Sequence, residues 1–410
     1  VFVQEFPKSE RAEEVMFLKG MTALQNEDPE AAVKTYADLL VKYPETKYKE
    51  DVAVMIANSK FGMGLYDEAR ADYEAFLKTY PQSTSASEVH YRMPLCLVFS
   101  GQYEKAIGEL NAFIQANADS PYVPDANYRL IVCYFAAAVN DKTGDSYNKI
   151  IKLTEDFEKQ YPDHPSLADV LALRGDAYVG LTDTPGNESH DSEAASAYLK
   201  GSKLAKDEES LNYNLFEAVK LWQKHGEWEK INVALGDFIK DNPDHPSASM
   251  AKYWVGRSLL KQKKDAEAKQ FYAKEIKENM SQPRKDAVEM MIRELVQMLS
   301  KKRKVQAATA PAPEGAAPGT EGAAPPPPPP PQDPEAELDS LIGGDETMKN
   351  RTSTARYFLA KALLAQFRGD AKLRDTYYDQ LADFEASELS AYLLGQMADY
   401  NITKATAAHE

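Results

Sequence analysis

The sequence predicts an all-α protein: a right-handed α-solenoid of stacked helix pairs, a proline-rich tract, and a C-terminal helical piece. Three observations carry this expectation. Prolines recur at near-constant intervals along the first 283 residues. Between them, apolar residues fall three and four positions apart, as a one-sided helix requires. Beyond residue 304 the composition changes abruptly and the helical pattern then resumes.

The prolines are Pro7, Pro44, Pro81, Pro121, Pro162, Pro243 and Pro283, at spacings of 37, 37, 40, 41, 81 and 40 residues. The interval of 81 reads as two repeats with an unmarked boundary near Asp207. Proline ends a helix because it has no N–H to donate and its ring clashes with the preceding turn. Most of these prolines follow an aromatic residue or Asn, as in Tyr43-Pro44, Tyr80-Pro81, Tyr161-Pro162 and Asn242-Pro243. Small polar residues come next and suit the start of another helix, for example Gln82 to Ser85 and Asp163 to Ser166. Each interval then holds a first helix with a small residue (Gly20, Ala57, Gly175, Gly256) and a second, amphipathic helix such as Tyr66 to Leu77.

Ala57, Ala69, Tyr73, Phe76 and Pro81 stand in an order and spacing repeated by Gly20, Ala32, Tyr36, Leu39 and Pro44, and late in the chain by Gly256, Ala268 and Tyr272. In Asn212 to Pro243 the match is looser: Ile231, Leu235, Phe238 and Pro243 hold, without the alanine. This pattern resembles the tetratricopeptide family, and the resemblance covers residues 1–300. It implies a protein-binding scaffold or adaptor. The long repeats and their Tyr-Pro boundaries are similar in style to bacterial cell-envelope members. Among these are the helical lipoprotein of the outer-membrane β-barrel assembly machine and the periplasmic protein of the Tol-Pal system. That likeness implies the periplasm or cell envelope, with the cytoplasm as the alternative.

The expected domains are a repeat array over 1–304 with about seven helix pairs, a linker over 305–350, and C-terminal helices over 351–404. The linker is expected to be extended or disordered. Pro325 to Pro331 is an unbroken proline run, which favours polyproline II. From Val305 to Met348 there are eight acidic residues and no Lys or Arg, half of the net charge of −16. A spacer is the plainer reading of this tract, and a docking site for a proline-binding module the sharper one. Asp339 to Ile342 reads as a small acidic-apolar patch, with a short docking helix as its sharper reading. After the linker, Ala355, Tyr357, Ala360, Leu363 and Leu364 echo Ala251, Tyr253, Gly256, Leu259 and Leu260, and Tyr392 with Gly395 repeats the echo. The helix Arg284 to Lys304 has no partner before the linker. The C-terminal helices are therefore expected to fold back onto it as a cap.

The acidic balance argues against a nucleic-acid partner, which needs clustered Lys and Arg. The one tight basic run, Lys301 to Lys304, reads as the last turn of a helix. No apolar stretch is long enough for a membrane span. Val1 to Phe6 reads as the tail of a helix under way, and whether a signal peptide or lipid anchor precedes it stays open.

Chemistry is sparsely signposted. Cys96 and Cys133 align in neighbouring helices, too far apart for a relaxed disulfide, and read as buried small hydrophobes. His164 and His245 share the motif Pro-Asp-His-Pro-Ser, 81 residues apart, and read as helix-start turns, not metal ligands. No His or Cys pair at metal spacing, phosphate loop or nucleophile elbow is present. No catalytic, metal or cofactor residue is therefore expected, and no cofactor. Tyr36, Tyr73, Trp228 and Tyr272 read as core. Tyr91, Tyr128, Tyr253 and Trp254 are the candidate partner-binding residues, because aromatics anchor a bound peptide. Longer loops at Asn140 to Ser146 and Thr182 to Asp191, the second with a chance glycosylation sequon at Asn187, mark a possible binding edge. The alternatives to a scaffold are a permanent subunit of a large complex and, from another class, an enzyme with a hidden site. The oligomeric state stays open.

Overall fold

The computed structural model describes residues 11–140, 143–282, 286–308 and 333–409. Among these, every regular element is a helix. The chain forms two compact units, Val1–Leu221 and Trp222–Glu410.

Unit one is an α-solenoid of paired helices: α1 (Ala12–Gln25), α2 (Pro29–Lys42), α3 (Lys49–Gly62), α4 (Tyr66–Thr79), α5 (Ala86–Phe99), α6 (Tyr103–Ala116), α7 (Val123–Ala137), α8 (Asp145–Gln160), α9 (Leu167–Asp183) and α10 (Asp191–Leu204). It ends within α11 (Glu208–His225). Unit two continues with α12 (Trp228–Asp241), α13 (Ala248–Lys261), α14 (Asp265–Asn279) and α15 (Asp286–Ala308). It then holds α16 (Pro334–Ile342), α17 (Arg351–Arg368), α18 (Ala371–Leu381) and α19 (Ala391–His409).

The repeat boundaries follow from the sequence. Tyr43, Tyr80, Tyr161 and Asn242 each leave the helix with φ between −128° and −133°. Their ψ of 58° to 71° takes them out of the helical region, which the following proline disfavours. Two tight turns follow. The N–H of Ser83 donates to Tyr80 O at 3.1 Å, and that of Ala86 to Ser83 O at 3.1 Å; the pattern recurs at each marked boundary. A side-chain acceptor pins the turn. At the first three described boundaries it is Thr46, Ser83 or Ser120, taking the N–H two residues on. At His164 and His245 the imidazole Nδ1 does the same, at 3.2 and 3.1 Å from Ser166 N and Ser247 N. Both rings also stand edge-on to a phenylalanine, Phe157 and Phe238, with centroids 5.2 Å apart. The repeated histidines are thus turn residues in their neutral form.

Within a pair, the second helix presses a tyrosine ring onto the first. A Cβ built on Gly175 would lie 2.5 Å from Tyr198 Cε1, and at Gly20 against Tyr36 and Gly256 against Tyr272 the approach is closer still. Tyr36, Tyr73 and Tyr272 are completely buried. The expected echo of this pairing at Gly395 is not found, because a Cβ there would meet nothing. Both cysteines are free and buried, and burial pushes each thiol up to about 11.

The linker expectation needs correction at both ends. Helix α15 runs on to Ala308, so the Lys301–Lys304 run sits one turn before its end and not in its last turn. Pro334–Ile342 is a helix, not extended chain. Asp333 caps it by accepting the Glu335 N–H, Pro334 takes the first turn where no donor is needed, and Gly343 ends it at φ 99°. Leu338 and Ile342 are fully buried in the core shared by α14, α15 and α17. The acidic residues that argued for disorder have cationic partners here. Glu337 meets Lys269 at 2.6 Å, and Lys361 meets Asp339 at 2.7 Å and Glu335 at 3.2 Å. Burial alone would lower the Lys361 pKa, but its bonds to Asp339 and Glu335 outweigh that and hold it raised. The proline run 325–331 and the segment Val1–Phe6 lie outside the described residues.

The fold-back onto α15 is observed. Leu295, Val296 and Leu299 of α15 share one core with Leu359 and Leu363 of α17, Leu381 of α18 and Leu393 of α19.

Two consequences are measurable. Gly256→Ala forces a methyl into the Tyr272 ring and should destabilise by ~1–3 kcal/mol, seen as a lower denaturation midpoint. Tyr272→Leu on that background should recover part of the loss, since Leu110 holds the corresponding position of the third repeat. Burial lowers the His164 pKa, with Asp125 pulling the other way. A lowered imidazole binds its proton later in the folded state than in the unfolded one. Its stabilisation is therefore present above the unfolded value of about 6.5 and is lost as pH falls through that value towards the folded one. His164→Ser, which keeps an acceptor, should show a smaller loss of thermal stability on acidification than the wild type.

Candidate functional site

Three first helices of unit one, α7, α9 and α11, share one groove of about 380 Å³. Its lining repeats in register. Tyr128, Asp169 and Ser210 lie 41 residues apart, as do Val132, Leu173 and Asn214, and Ala172 and Tyr213. Successive repeats therefore present the same helix position side by side, and the groove is that position read across three helices.

Hydrogen bonds fix the polar part. The Ser210 hydroxyl donates to Asp169 Oδ1 at 2.8 Å, tying α11 to α9. Tyr198 and Tyr213 both donate their phenol hydroxyls to Asp176 Oδ1, each at 2.5 Å. Burial raises the Asp176 carboxyl above the usual carboxylate range, and the two phenols pull it back. Burial, together with the Asp176 charge, pushes both phenols up in turn. Tyr198 is core, whereas Tyr213 is 44% exposed, so the bond holds an accessible ring in one orientation. Asn214 is fully buried and donates from Nδ2 to Ser210 O at 2.9 Å. It reaches the bare Cα of Gly201 on α10, where a Cβ would collide with its Oδ1. Tyr128 carries the Arg129 guanidinium over one ring face at 5.0 Å. The lining holds two carboxylates, Asp169 and Glu209, and no Lys or Arg among the described residues.

Of the four candidate aromatics, only Tyr128 lines this groove. Tyr91 is 7% exposed, stacked on Tyr122 with centroids 5.1 Å apart and packed against Phe113. Tyr253 is 5% exposed, and its main-chain carbonyl accepts the Tyr272 hydroxyl at 3.1 Å. Both are core residues and not accessible anchors, because their helix position faces the neighbouring helices. Trp254 keeps partial exposure in unit two, beside Tyr253 and under the Arg257 guanidinium. The residues missed are Asp169, Ser210 and Tyr213. The 41-residue interval between Pro121 and Pro162, carried forward from Tyr128, would have reached the first two. The loop from Thr182 to Asp191 folds against itself and the end of α9: Asn187 Nδ2 donates to Leu181 O at 3.2 Å, and the Thr182 hydroxyl accepts the His190 N–H at 2.8 Å.

Among the described residues no three metal-ligating side chains gather, and no helix is long and apolar enough to cross a membrane.

Residues 9–98 match the model of the YfiO family, described as an outer membrane lipoprotein. No curated protein matches the chain. Among solved structures, a tetratricopeptide repeat protein from Parabacteroides merdae is similar over 68% of this chain and 98% of its own, at 14% identity and a TM-score of 0.40. The tetratricopeptide domain of P58(IPK) is similar over 96% of this chain and 99% of its own, at 12% identity and a TM-score of 0.25.

Asp176→Ala removes the acceptor of two phenols, one of them buried, and should cost ~1–3 kcal/mol. Tyr213→Phe, which keeps the ring, should cost about 1 kcal/mol or less. Equal costs in chemical denaturation would mean that the Tyr198 bond contributes nothing.

Proposed function

We propose that this protein is a scaffold that holds an extended segment of a partner protein across α7, α9 and α11, and that it works in the bacterial cell envelope. The observation that carries the reading is the groove built from one helix face repeated in register, with an accessible tyrosine held by a half-buried carboxylate. A pre-set aromatic ring anchors a peptide at low entropic cost. Asp169 and Glu209, with no basic residue beside them in the lining, favour a segment bearing Lys or Arg. Arg129 on Tyr128 illustrates the cation–aromatic contact such a side chain would make.

The envelope setting rests on the match of residues 9–98 to an outer membrane lipoprotein family. The mixed polar lining supports reversible binding over a permanent place in a large complex, which would call for a broad apolar stripe. Exposed apolar side chains such as Val41, Val139 and Val233 come from separate segments. No catalytic role enters this reading.

The test is affinity capture from an envelope extract of the source organism, read by mass spectrometry. The baits are the intact chain, a form lacking residues 309–332, and Tyr128→Ala combined with Asp169→Lys. The intact and deleted forms should recover the same proteins, and the groove variant should lose them. Retention by a folded groove variant would place binding elsewhere. Loss with the deletion would make the proline tract the docking element.

A further inference from the structure

Unit two contains a larger cavity that the proposed function does not use. It encloses about 550 Å³ between α15, the start of α17 and the segment leading into α19. That is within the usual size of small-molecule sites.

Its floor is Glu289 of α15, 1% exposed. One carboxylate oxygen, Oε1, accepts the Arg356 Nε–H at 2.6 Å. Arg356 is equally buried, and its Nη1 donates to the carbonyls of Asn279, Met280 and Gln282. The other oxygen, Glu289 Oε2, is buried and accepts no hydrogen bond. Leaving a buried charged acceptor unfilled is costly. Burial raises the pKa of this carboxyl, and the Arg356 charge and hydrogen bond pull it back. The vacant oxygen therefore calls for a donor.

The same cavity offers the opposite need. Arg351 of α17 bonds Glu388 through Nε and Nη2, and Nη2 also meets Asp383 O at 3.3 Å. The Phe384 ring lies 4.5 Å from its guanidinium carbon and holds the group in place. None of these bonds uses Nη1. The four charged lining groups, Glu289, Arg356, Arg351 and Glu388, cancel. A ligand of net charge suits the cavity less well than one carrying both charges.

We propose that this cavity binds a small zwitterion, an α-amino acid or short peptide, with its ammonium on Glu289 Oε2 and its carboxylate on Arg351 Nη1. Charge-assisted bonds at both ends give recognition without net charge transfer into the site. Neither residue belongs to the groove of unit one, so the two proposals fail or stand separately.

The test is calorimetric titration of the full chain with glycine, glycylglycine and triglycine, whose lengths distinguish amino acid from peptide. N-acetyl-glycylglycine removes the ammonium, and glycylglycine amide removes the carboxylate. At least one zwitterion should bind saturably, and each blocked form should bind about tenfold more weakly or worse, the loss of one charge-assisted bond. Glu289→Gln should erase the preference for a free ammonium, and Arg351→Gln the preference for a free carboxylate. Because Glu289 also anchors Arg356, its variant can fail to fold, but the blocked peptides on the wild type decide without it. The proposal is overturned if no zwitterion binds saturably at millimolar concentration, or if blocked and free forms bind equally. Water would then fill the cavity, and Glu289 would serve only to hold Arg356.

Discussion

The architecture depends on how closely two helices of a pair can approach. A tyrosine from the second helix lies against a position of the first where a side chain is absent or a single methyl. Gly20 with Tyr36, Gly175 with Tyr198 and Gly256 with Tyr272 are the tightest cases. The ring fills the space a larger residue would take, and close packing leaves little tolerance for an added atom. Once the pair is fixed, its remaining apolar face can be buried only against the next pair. The array then propagates by nearest-neighbour contact. Proline after a Tyr or Asn that has left the helix marks where a pair ends, and a short polar side chain or a histidine Nδ1 pins the turn into the next.

An array of this kind needs its last apolar face covered, and unit two does so with two devices. The larger is the helical piece beyond residue 350, whose Leu359 and Leu363 enter the core of α15. The pin is Arg356, the largest of the fully buried side chains. Its guanidinium takes up main-chain carbonyls at the C-terminal end of α14, where a helix leaves acceptors unfilled and favours a cation. Glu289 balances its charge. The short helix α16 is the second device, an acidic strip seated on Lys269 and Lys361 with Leu338 and Ile342 beneath it.

Carboxylates do different work in the two units. Asp176, half-buried, accepts two phenols on one oxygen, Oδ1, and so holds the Tyr213 ring in place at the groove. Glu289 is half filled, by Arg356, and keeps an acceptor turned towards a cavity. The first arrangement presets a surface for a partner; the second leaves a specific vacancy. The difference lies in how many donors reach the carboxylate, and those donors come from distant parts of the chain.

The sequence by itself determined the helix pairs, their proline-marked boundaries, and the recurring small residues and core tyrosines. Each of these rests on residues within one repeat, where spacing and proline chemistry are local. It also marked Tyr128. It did not separate Tyr128 from Tyr91 or Tyr253, because burial at one helix position depends on what the neighbouring helices bring against it. Composition alone made residues 334–342 look unstructured, since eight carboxylates without a cation nearby in sequence cannot build a core. Lys269 lies 68 residues from Glu337, and that separation hid the pairing. Tertiary structure alone decided that α16 starts at Pro334 and packs into the core, that Arg356 meets Glu289, and that Asp169, Ser210 and Tyr213 share one groove. Each of these joins groups far apart in the chain, and their pairing depends on distances that no local pattern encodes.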